Sequence, residues 1–233
     1  MMKTIGLLGG MSWESTASYY QALNQGVKSE LGGLHSARIC LYSVDFAEIE
    51  SLQHQGQWQK TAEILTDAAQ KVEAGGADFL LICTNTMHKV ANEIEAGIAI
   101  PILHIADATA EALLADGCNK VGLLGTGFTM REDFYKQRLQ DKFGIEVLVP
   151  EEAEQQQIHN IIYEELCRGE IREDSRQVYL DAIDRLEQQG AQAVILGCTE
   201  IALLVQQEQE HTQVSLYDTT ALHAAKAIEW ALA

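Results

Sequence analysis

Two stretches of the chain, Thr4-Ile-Gly-Leu-Leu-Gly9 and Lys120-Val-Gly-Leu-Leu-Gly125, are nearly identical and stand 116 residues apart. A second pair follows in the same order, because Gly76-Ala-Asp-Phe-Leu-Leu-Ile-Cys-Thr84 matches Gly190-Ala-Gln-Ala-Val-Ile-Leu-Gly-Cys198 at an offset of 114. Ordered matches at nearly one offset are typical of an internal repeat. They predict that the chain consists of two related lobes.

Short apolar runs alternate with longer amphipathic stretches over the whole length of the chain. This alternation predicts strand–helix–strand units and a mainly parallel α/β fold, since parallel strands need a crossover connection. The predicted strands are Thr4–Leu8, Ile39–Val44, Phe79–Cys83, Ile100–Ile105, Val121–Leu124, Ile145–Val149, Val194–Leu196 and Val214–Tyr217. The predicted helices include Trp58–Ala74, Ala106–Ala115, Arg131–Phe143, Ser175–Gln189 and Thr219–Leu232.

We therefore predict two pseudo-symmetric lobes, each a mainly parallel four-stranded sheet flanked by helices. The first lobe comprises residues 1–103 and 213–233, and the second comprises residues 104–212. Functional groups of such folds stand at the carboxyl ends of the strands. The expected active site is accordingly the cleft between the two lobes.

Composition and charge exclude several classes of function. The 233 residues carry 16 Lys and Arg against 34 Asp and Glu, a net charge of −18, which argues against nucleic-acid binding because that needs a basic surface. No leading segment has the form of a signal peptide, and no apolar run approaches the length of a membrane span. We predict a soluble, cytoplasmic protein that acts on a small molecule.

The five cysteines are widely spaced, odd in number and free of C-x-x-C pairs, which disfavours a disulfide framework or a zinc site. The repeat assigns different environments to two of them. It aligns Thr84, and not Cys83, with Cys198, and successive strand residues point to opposite faces. If Cys198 points into the cleft, the matching residue is Thr84, and Cys83 points into the core of its own lobe.

Cys198 stands in the turn Gly197-Cys-Thr-Glu200, between a buried strand and the helical-looking stretch Ile201–Gln207. The positive end of a helix lowers the pKa of a thiol, so that a thiolate at this position can act as base, nucleophile or ligand. The alternative is a small residue that merely fits a tight turn.

The equivalent turn, Thr84-Asn-Thr-Met-His88, suits either helix capping or the binding of a carboxylate by backbone N–H groups. His88 is either a proton shuttle or orienting group, or an ordinary residue of the first helical turn. Glycine-rich turns follow the first strand of each lobe, at Gly9–Ser12 and Gly125–Thr129, where a ligand can approach the backbone. Neither turn has the pattern of a phosphate-binding or dinucleotide-binding loop.

Taken together, these motifs resemble those of the aspartate/glutamate racemase family over the whole chain. Gly-Leu-Leu-Gly-Gly-Met-Ser-Trp-Glu-Ser-Thr at 6–16 resembles the opening of these enzymes, Thr-Asn-Thr-Met-His at 84–88 their Cys-Asn-Thr-x-His motif, and Gly-Cys-Thr-Glu at 197–200 their second cysteine motif. The segments at 103–109 and 217–220 are also typical of the family.

The resemblance implies a homodimer that racemises an acidic amino acid without pyridoxal phosphate, metal or any other cofactor. One thiolate removes the α-proton and an opposite thiol returns a proton to the other face. Cys198 is then the catalytic base on the L side, and Thr84 its catalytic partner. By position, the substrate contacts are Met11, Ser12, Asn85, Thr86, Thr126 and Thr199.

This chain departs from the family pattern at two places. Thr84 replaces the first cysteine, and a hydroxyl is a far weaker acid than a thiol and an inefficient base, which favours apparent L-to-D conversion. The arginine and lysine that many aspartate racemases direct at the distal carboxylate are also missing. The stretch Asp45–Gln53 contains neither residue, and the expected lysine position falls near Gln157, with His159 close by. Gln53 could offer a neutral hydrogen bond instead.

Two other functions stay open at this point. A related cofactor-free decarboxylase or isomerase would use the same cleft and the Cys198 motif. A non-catalytic amino-acid-binding module would explain why one of the two bases has been replaced.

Overall fold

The computed structural model describes residues 1–206 and 212–233, and within them it contains two parallel β-sheets flanked by helices. Contacts divide the chain into a first unit, Met1–Ile105 with Thr220–Ala233, and a second unit, Ala106–Thr219. The predicted α/β class and the two sheets are confirmed. None of the described helices combines the length and the apolar character that crossing a membrane requires.

The first unit is built around a sheet of strand order β2-β1-β3, with every pair parallel. Side chains alternate between two apolar layers: Ile5, Leu7 and Phe79 contribute to one cluster, and Leu80 and Ile82 to another. In chain order the unit contains β1 (Ile5–Gly9), α1 (Trp13–Leu31), β2 (Ile39–Ser43), α2 (Phe46–His54), α3 (Trp58–Ala74), β3 (Phe79–Ile82), the 3₁₀ helix Thr86–Val90 and α4 (Ala91–Ala96).

The second unit is built around a sheet of strand order β5-β4-β6-β7, again with every pair parallel. Its elements are α5 (Ile105–Ala115), β4 (Lys120–Gly125), α6 (Gly127–Arg131), α7 (Asp133–Phe143), β5 (Glu146–Leu148), α8 (Glu152–Glu164), the 3₁₀ helix Leu166–Arg168, α9 (Glu173–Gln188), β6 (Ala193–Gly197), the 3₁₀ helix Ile201–Leu203 and β7 (Ser215–Asp218). The terminal helix α10 (Thr219–Leu232) packs in the first unit through Ala224 and Ala227.

The strand registers reproduce the offsets of the sequence repeat. Leu8 of β1 is paired with Ile82, and its counterpart Leu124 of β4 is paired with Leu196. Leu8 and Leu124 are 116 residues apart, and Ile82 and Leu196 are 114 residues apart, which are the offsets found in the sequence. Thr84 and Cys198 therefore occupy equivalent positions beyond equivalent strands.

The first sheet has three strands, and the predicted fourth strand is wrong. Of Ile100–Ile105, only Ile102 forms a bridge, to Leu80. Two backbone hydrogen bonds hold it, from the Leu80 N–H to the Pro101 carbonyl and from the Leu103 N–H to the Leu80 carbonyl. Pairing with β3 cannot extend further, because Pro101 has no N–H to donate and α5 already begins at Ile105.

The predicted lobe boundary at residues 212 and 213 assigns β7 to the first lobe, whereas the strand belongs to the second sheet. Four residue pairs join β6 to β7, from Ala193 with Ser215 to Leu196 with Asp218. The apolar run at 214–217 correctly predicted a strand. It did not indicate which strand would pair with it, because strand pairing depends on residues distant in the chain.

The helix predicted over Arg131–Phe143 is interrupted near its start. Glu132 has an extended backbone, with φ −84° and ψ 157°, and it separates α6 from α7. By contrast, the predicted bounds Trp58–Ala74 and Thr219–Leu232 are those of α3 and α10. The stretch predicted as helical over Ile201–Gln207 forms only the 3₁₀ helix Ile201–Leu203, and Gln207 lies outside the described residues.

Gly10 shapes the turn that follows β1. Its φ is +94°, and a Cβ built on it would lie 2.3 Å from the carbonyl oxygen of Val44. Its N–H donates to the Thr16 hydroxyl at 2.8 Å, which ties the turn to the first helix. Only glycine satisfies both the backbone angle and this close approach.

We expect Gly10→Ala to lower the free energy of unfolding by about 3 kcal/mol, because it adds a backbone clash to an unfavourable φ. Gly56→Ala is the matched control, since Gly56 has φ +68° but open space around its Cα. That variant should lose only about 1 kcal/mol. Urea unfolding of both variants measures the difference, and equal losses would contradict the role assigned to the contact with Val44.

Candidate functional site

In the first unit, most of the predicted site residues follow the ends of two neighbouring strands. Met11 and Ser12 come after β1, and Thr84, Asn85 and Thr86 come after β3. Ser12 begins α1, where its hydroxyl accepts the Ser15 N–H at 3.2 Å. The Ser15 hydroxyl in turn donates to the Cys83 carbonyl at 3.1 Å, which joins the two turns.

The remaining first-unit residues differ in exposure. Asn85, Thr86 and Met11 are buried, and Met11 is a member of the same apolar cluster as Leu8. Gln53 is also buried, and it stands in the last turn of α2. Thr84 is half-buried. The strand-end placement of the 11–12 and 84–86 turns follows from the parallel sheet, whereas Gln53 is held on a different element.

His88 is an orienting residue of the Thr84 turn. Its Nε2 accepts the Ile105 N–H at 3.2 Å, so the neutral ring carries its proton on Nδ1. That Nδ1–H donates to the Thr84 carbonyl at 2.8 Å. Because both ring nitrogens bind backbone groups, the geometry favours the orienting role over that of a proton shuttle.

Cys83 lies in the core of the first unit, as the repeat predicted. It is fully buried and belongs to the apolar cluster that includes Leu81 and Tyr19. Burial raises the pKa of its thiol far above the ordinary value. The thiol is therefore neutral and behaves as a small apolar group.

In the second unit, Thr126 follows β4 and Cys198 follows β6. Gly125 is paired with Gly197, so the two turns start from neighbouring positions of the sheet. A Cβ on Gly125 would lie 2.9 Å from the Gly197 carbonyl oxygen, which shows how closely the strands approach there. Thr126 caps α6, and its hydroxyl oxygen accepts the Thr129 N–H at 3.3 Å.

A buried carboxylate contacts the thiol, and the sequence interpretation missed it. Cys198 Sγ donates to Glu200 Oε2 at 3.0 Å, and the Thr199 hydroxyl donates to the same oxygen at 2.6 Å. Cys198 and Glu200 are 7% and 4% exposed, so the contact is shielded from water. The only signal in the sequence was an acidic residue two positions after the cysteine.

This carboxylate reverses the expected electrostatics of Cys198. Burial raises the pKa of the thiol well above its ordinary value, and the negative charge of Glu200 raises it further. The predicted lowering of this pKa by a helix N-terminus is wrong, because in the described residues up to Gln206 the turn is followed only by the three-residue 3₁₀ helix Ile201–Leu203. In the resting protein Cys198 is a neutral thiol that donates a hydrogen bond.

Other ionisable groups surround the thiol and the carboxylate. Tyr179 belongs to the same apolar cluster as Cys198 and is fully buried. Burial raises the pKa of its hydroxyl, and the nearby Cys198, Cys167, Glu200 and Glu165 raise it further. These neighbours are thiols and carboxylates.

A cavity of about 300 Å³ opens beside the Thr126 turn. Its lining residues are Gly127, Phe128, Arg131, Glu132 and His159. His159 Nδ1 accepts the Gly127 N–H at 3.1 Å, so the neutral ring carries its proton on Nε2 as a donor. Arg131 donates to the Gln156 side chain at 2.8 Å, which holds the guanidinium near the cavity.

Within residues 1–206 and 212–233, no three or more His, Cys, Asp or Glu side chains are grouped so that they could hold a metal ion. The strand ends offer thiol, hydroxyl, amide and carboxylate groups. Such a set suits proton transfer and the binding of a small polar molecule. Two parallel α/β units with equivalent polar turns, one of them bearing a buried thiol, define the class of duplicated α/β proteins with polar groups at the strand ends.

The chain belongs to the Asp/Glu/hydantoin racemase family, whose model matches residues 8–227. It is therefore an enzyme of the amino-acid racemase type, in a family that works without pyridoxal phosphate. A candidate Asp/Glu racemase from Yersinia pestis has a similar structure, with 53% identity, full coverage of both chains and a TM-score of 0.92.

Two further relatives agree with this assignment. An aspartate racemase homologue from Pyrococcus horikoshii is 35% identical over the full length of both chains, with a TM-score of 0.83. A broad-specificity amino-acid racemase from Bacillus subtilis is 23% identical, and the alignment covers 98% of each chain.

Proposed function

We propose that the protein racemises an acidic amino acid, aspartate or glutamate, with Cys198 and Thr84 as its two proton-transfer residues. The observation that carries this proposal is the equivalence of the two side chains. Thr84 follows β3 and Cys198 follows β6. These two strands are equivalent, because each pairs with the first strand of its own sheet in the same register. A racemase needs two such groups, because one face of the α-carbon loses a proton and the opposite face gains one.

In the proposed reaction Cys198 receives the α-proton of the L-enantiomer, and Thr84 relays a proton from water to the opposite face. The carbanion that forms between these steps must be stabilised by fixed hydrogen-bond donors, since no cofactor withdraws its charge. We propose that the substrate contacts are Met11, Ser12, Gln53, Asn85, Thr86, Thr126 and Thr199. By analogy with the family, the enzyme is expected to be a cytoplasmic homodimer.

The preference for an acidic side chain is supported by the cavity beside Thr126. Arg131 is a permanent cation, and His159 adds a neutral donor, so together they can bind a distal carboxylate in place of the missing lysine. Glu132 lines the same cavity and opposes an anion. Affinity for the acidic substrate is therefore expected to be modest.

The first prediction concerns the two buried thiols. Cys198→Ser should lower the rate of α-proton exchange in D₂O by about 10³-fold or more, because it removes the group that receives the proton. Cys83→Ala is the matched control and should exchange at nearly the normal rate. Exchange is followed by proton NMR with L-aspartate and L-glutamate. A protein that binds these amino acids without any exchange would instead be a binding module.

The second prediction concerns direction. Two enantiomers have equal free energy in water, so kcat/KM must be the same in both directions and any bias lies in kcat. Thr84→Cys should raise kcat from the D-enantiomer by about tenfold or more, because a thiol replaces a poor acid–base group. Chiral chromatography of initial rates measures both directions. An unchanged kcat from the D-enantiomer would contradict the role of Thr84.

The third prediction concerns the cavity. Arg131→Gln should raise KM for L-aspartate or L-glutamate roughly tenfold, since a charge-assisted hydrogen bond is lost. Glu132→Gln should lower the same KM by about two- to threefold, since a repulsive charge is removed. Exchange of the neutral L-asparagine and L-glutamine should change in neither variant. Equal effects on acidic and neutral amino acids would contradict the assignment.

A further inference from the structure

We propose that Glu200 is the proton acceptor behind Cys198, so that the thiol passes protons between the substrate and a buried carboxylate. This inference rests on the proposed function, because it concerns how the same cysteine receives the α-proton. In the proposed resting state Cys198 is a neutral thiol and Glu200 an ionised carboxylate, whereas the sequence suggested a thiolate at Cys198. Glu200 thereby becomes part of the proton-transfer machinery.

The geometry of the turn supports this pairing. One oxygen, Glu200 Oε2, accepts from Cys198 Sγ at 3.0 Å and from the Thr199 hydroxyl at 2.6 Å. The Thr199 bond helps to orient the carboxylate, and the thiol donates to the same oxygen. Proton transfer along an existing hydrogen bond requires no rearrangement of heavy atoms.

The charges around the pair disfavour a resting thiolate. A thiolate at Cys198 would stand beside the Glu200 carboxylate in a buried cluster, and two like charges at such a distance repel strongly. Cys167 raises the pKa of the Cys198 thiol further, because it is a second acidic group close to the sulfur. In the proposed resting state the proton of the pair is therefore on Cys198, which donates it to Glu200 in a hydrogen bond.

The proposed step keeps the turn from ever carrying two negative charges. The Cα–H bond of the substrate breaks, its proton bonds to Cys198 Sγ, and the electron pair stays on the α-carbon. At the same time the original S–H bond breaks and its proton bonds to Glu200 Oε2. Cys198 remains a thiol, Glu200 becomes a carboxylic acid, and the negative charge has moved to the substrate.

The cycle balances through the solvent. Thr84 relays one proton from water to the opposite face of the α-carbon, which produces the other enantiomer. Glu200 then passes its proton back through the Cys198 thiol to water that enters once the product has left, and it regains its charge. One proton enters from solvent and one leaves, so neither an oxidant nor a further reactant is needed. In the reverse direction Glu200 starts protonated. It donates its proton to Cys198 Sγ as the thiol gives its own proton to the carbanion.

The decisive experiment compares the pH dependence of activity with the pH dependence of thiolate formation at Cys198. In the normal enzyme, kcat for L-to-D conversion should be nearly constant from about pH 7 to 9, because the pKa of the buried Cys198 thiol is raised well above its ordinary value and the relay does not need its thiolate. Alkylation of Cys198 by iodoacetamide, followed by mass spectrometry of its peptide, reports the thiolate at each pH. Full activity with unreactive Cys198 supports the relay. Activity that rises in parallel with alkylation overturns it.

The variant Glu200→Gln tests the carboxylate directly. It should lower kcat at pH 7 by about 100-fold, and the remaining activity should rise about tenfold per pH unit, because a thiolate must now form. Its Cys198 should also be alkylated at lower pH than in the normal enzyme, since the neighbouring negative charge is gone. Unchanged or faster turnover at pH 7, or a lower rate with the normal pH dependence, would overturn the proposal.

A conservative variant and a matched control complete the test. Glu200→Asp keeps a carboxylate, so it should be slower but retain the nearly constant pH profile, and it serves if the glutamine variant does not fold. Glu165→Gln removes another partly buried carboxylate of the second unit, one that accepts from the Ser175 hydroxyl, and should keep the normal profile. If Cys198→Ser still exchanges the α-proton, the proposed function fails. If only Glu200→Gln behaves normally, the relay alone fails.

Discussion

The parallel pairing of the central strands is the constraint on which the rest of this structure depends. In each unit the first strand lies between its two neighbours, so the turns that leave the carboxyl ends stand side by side at one edge. Glycines at these ends permit the close approach, as the contact between Gly125 and the Gly197 carbonyl shows. Most polar residues of the candidate site directly follow these glycines and strands, whereas Gln53 lies in α2.

The second constraint is burial of charge. A carboxylate and a thiol share a buried turn in the second unit, and the carboxylate accepts hydrogen bonds from Cys198 and Thr199. Buried ionised groups are tolerated only when they are well hydrogen-bonded, which explains why Thr199 is needed as well as Cys198. The arrangement stabilises the protonated thiol, and this is the reason why its acid–base chemistry has to be described for the pair.

Much of the fold could be predicted from sequence because its signals are local. The helices α3 and α10 have strong amphipathic patterns with clear ends, and the repeat distinguished Thr84 from Cys83. The partner of β7 and the break at Glu132 could not be predicted, because strand pairing and a change of helix direction depend on distant packing. Likewise, the position of Glu200 beside the sulfur depends on side-chain rotation in a turn, which no residue spacing reveals.

The repeated register also has an evolutionary consequence. Two copies of one strand–turn unit place a side chain at the same position of two different sheets. The residues at these two positions can change independently, because each position is fixed by its own sheet. A chain of this kind can carry a hydroxyl at one turn, as at Thr84, and a thiol at the other, as at Cys198. Similarity of the backbone thus permits different side chains at two equivalent turns.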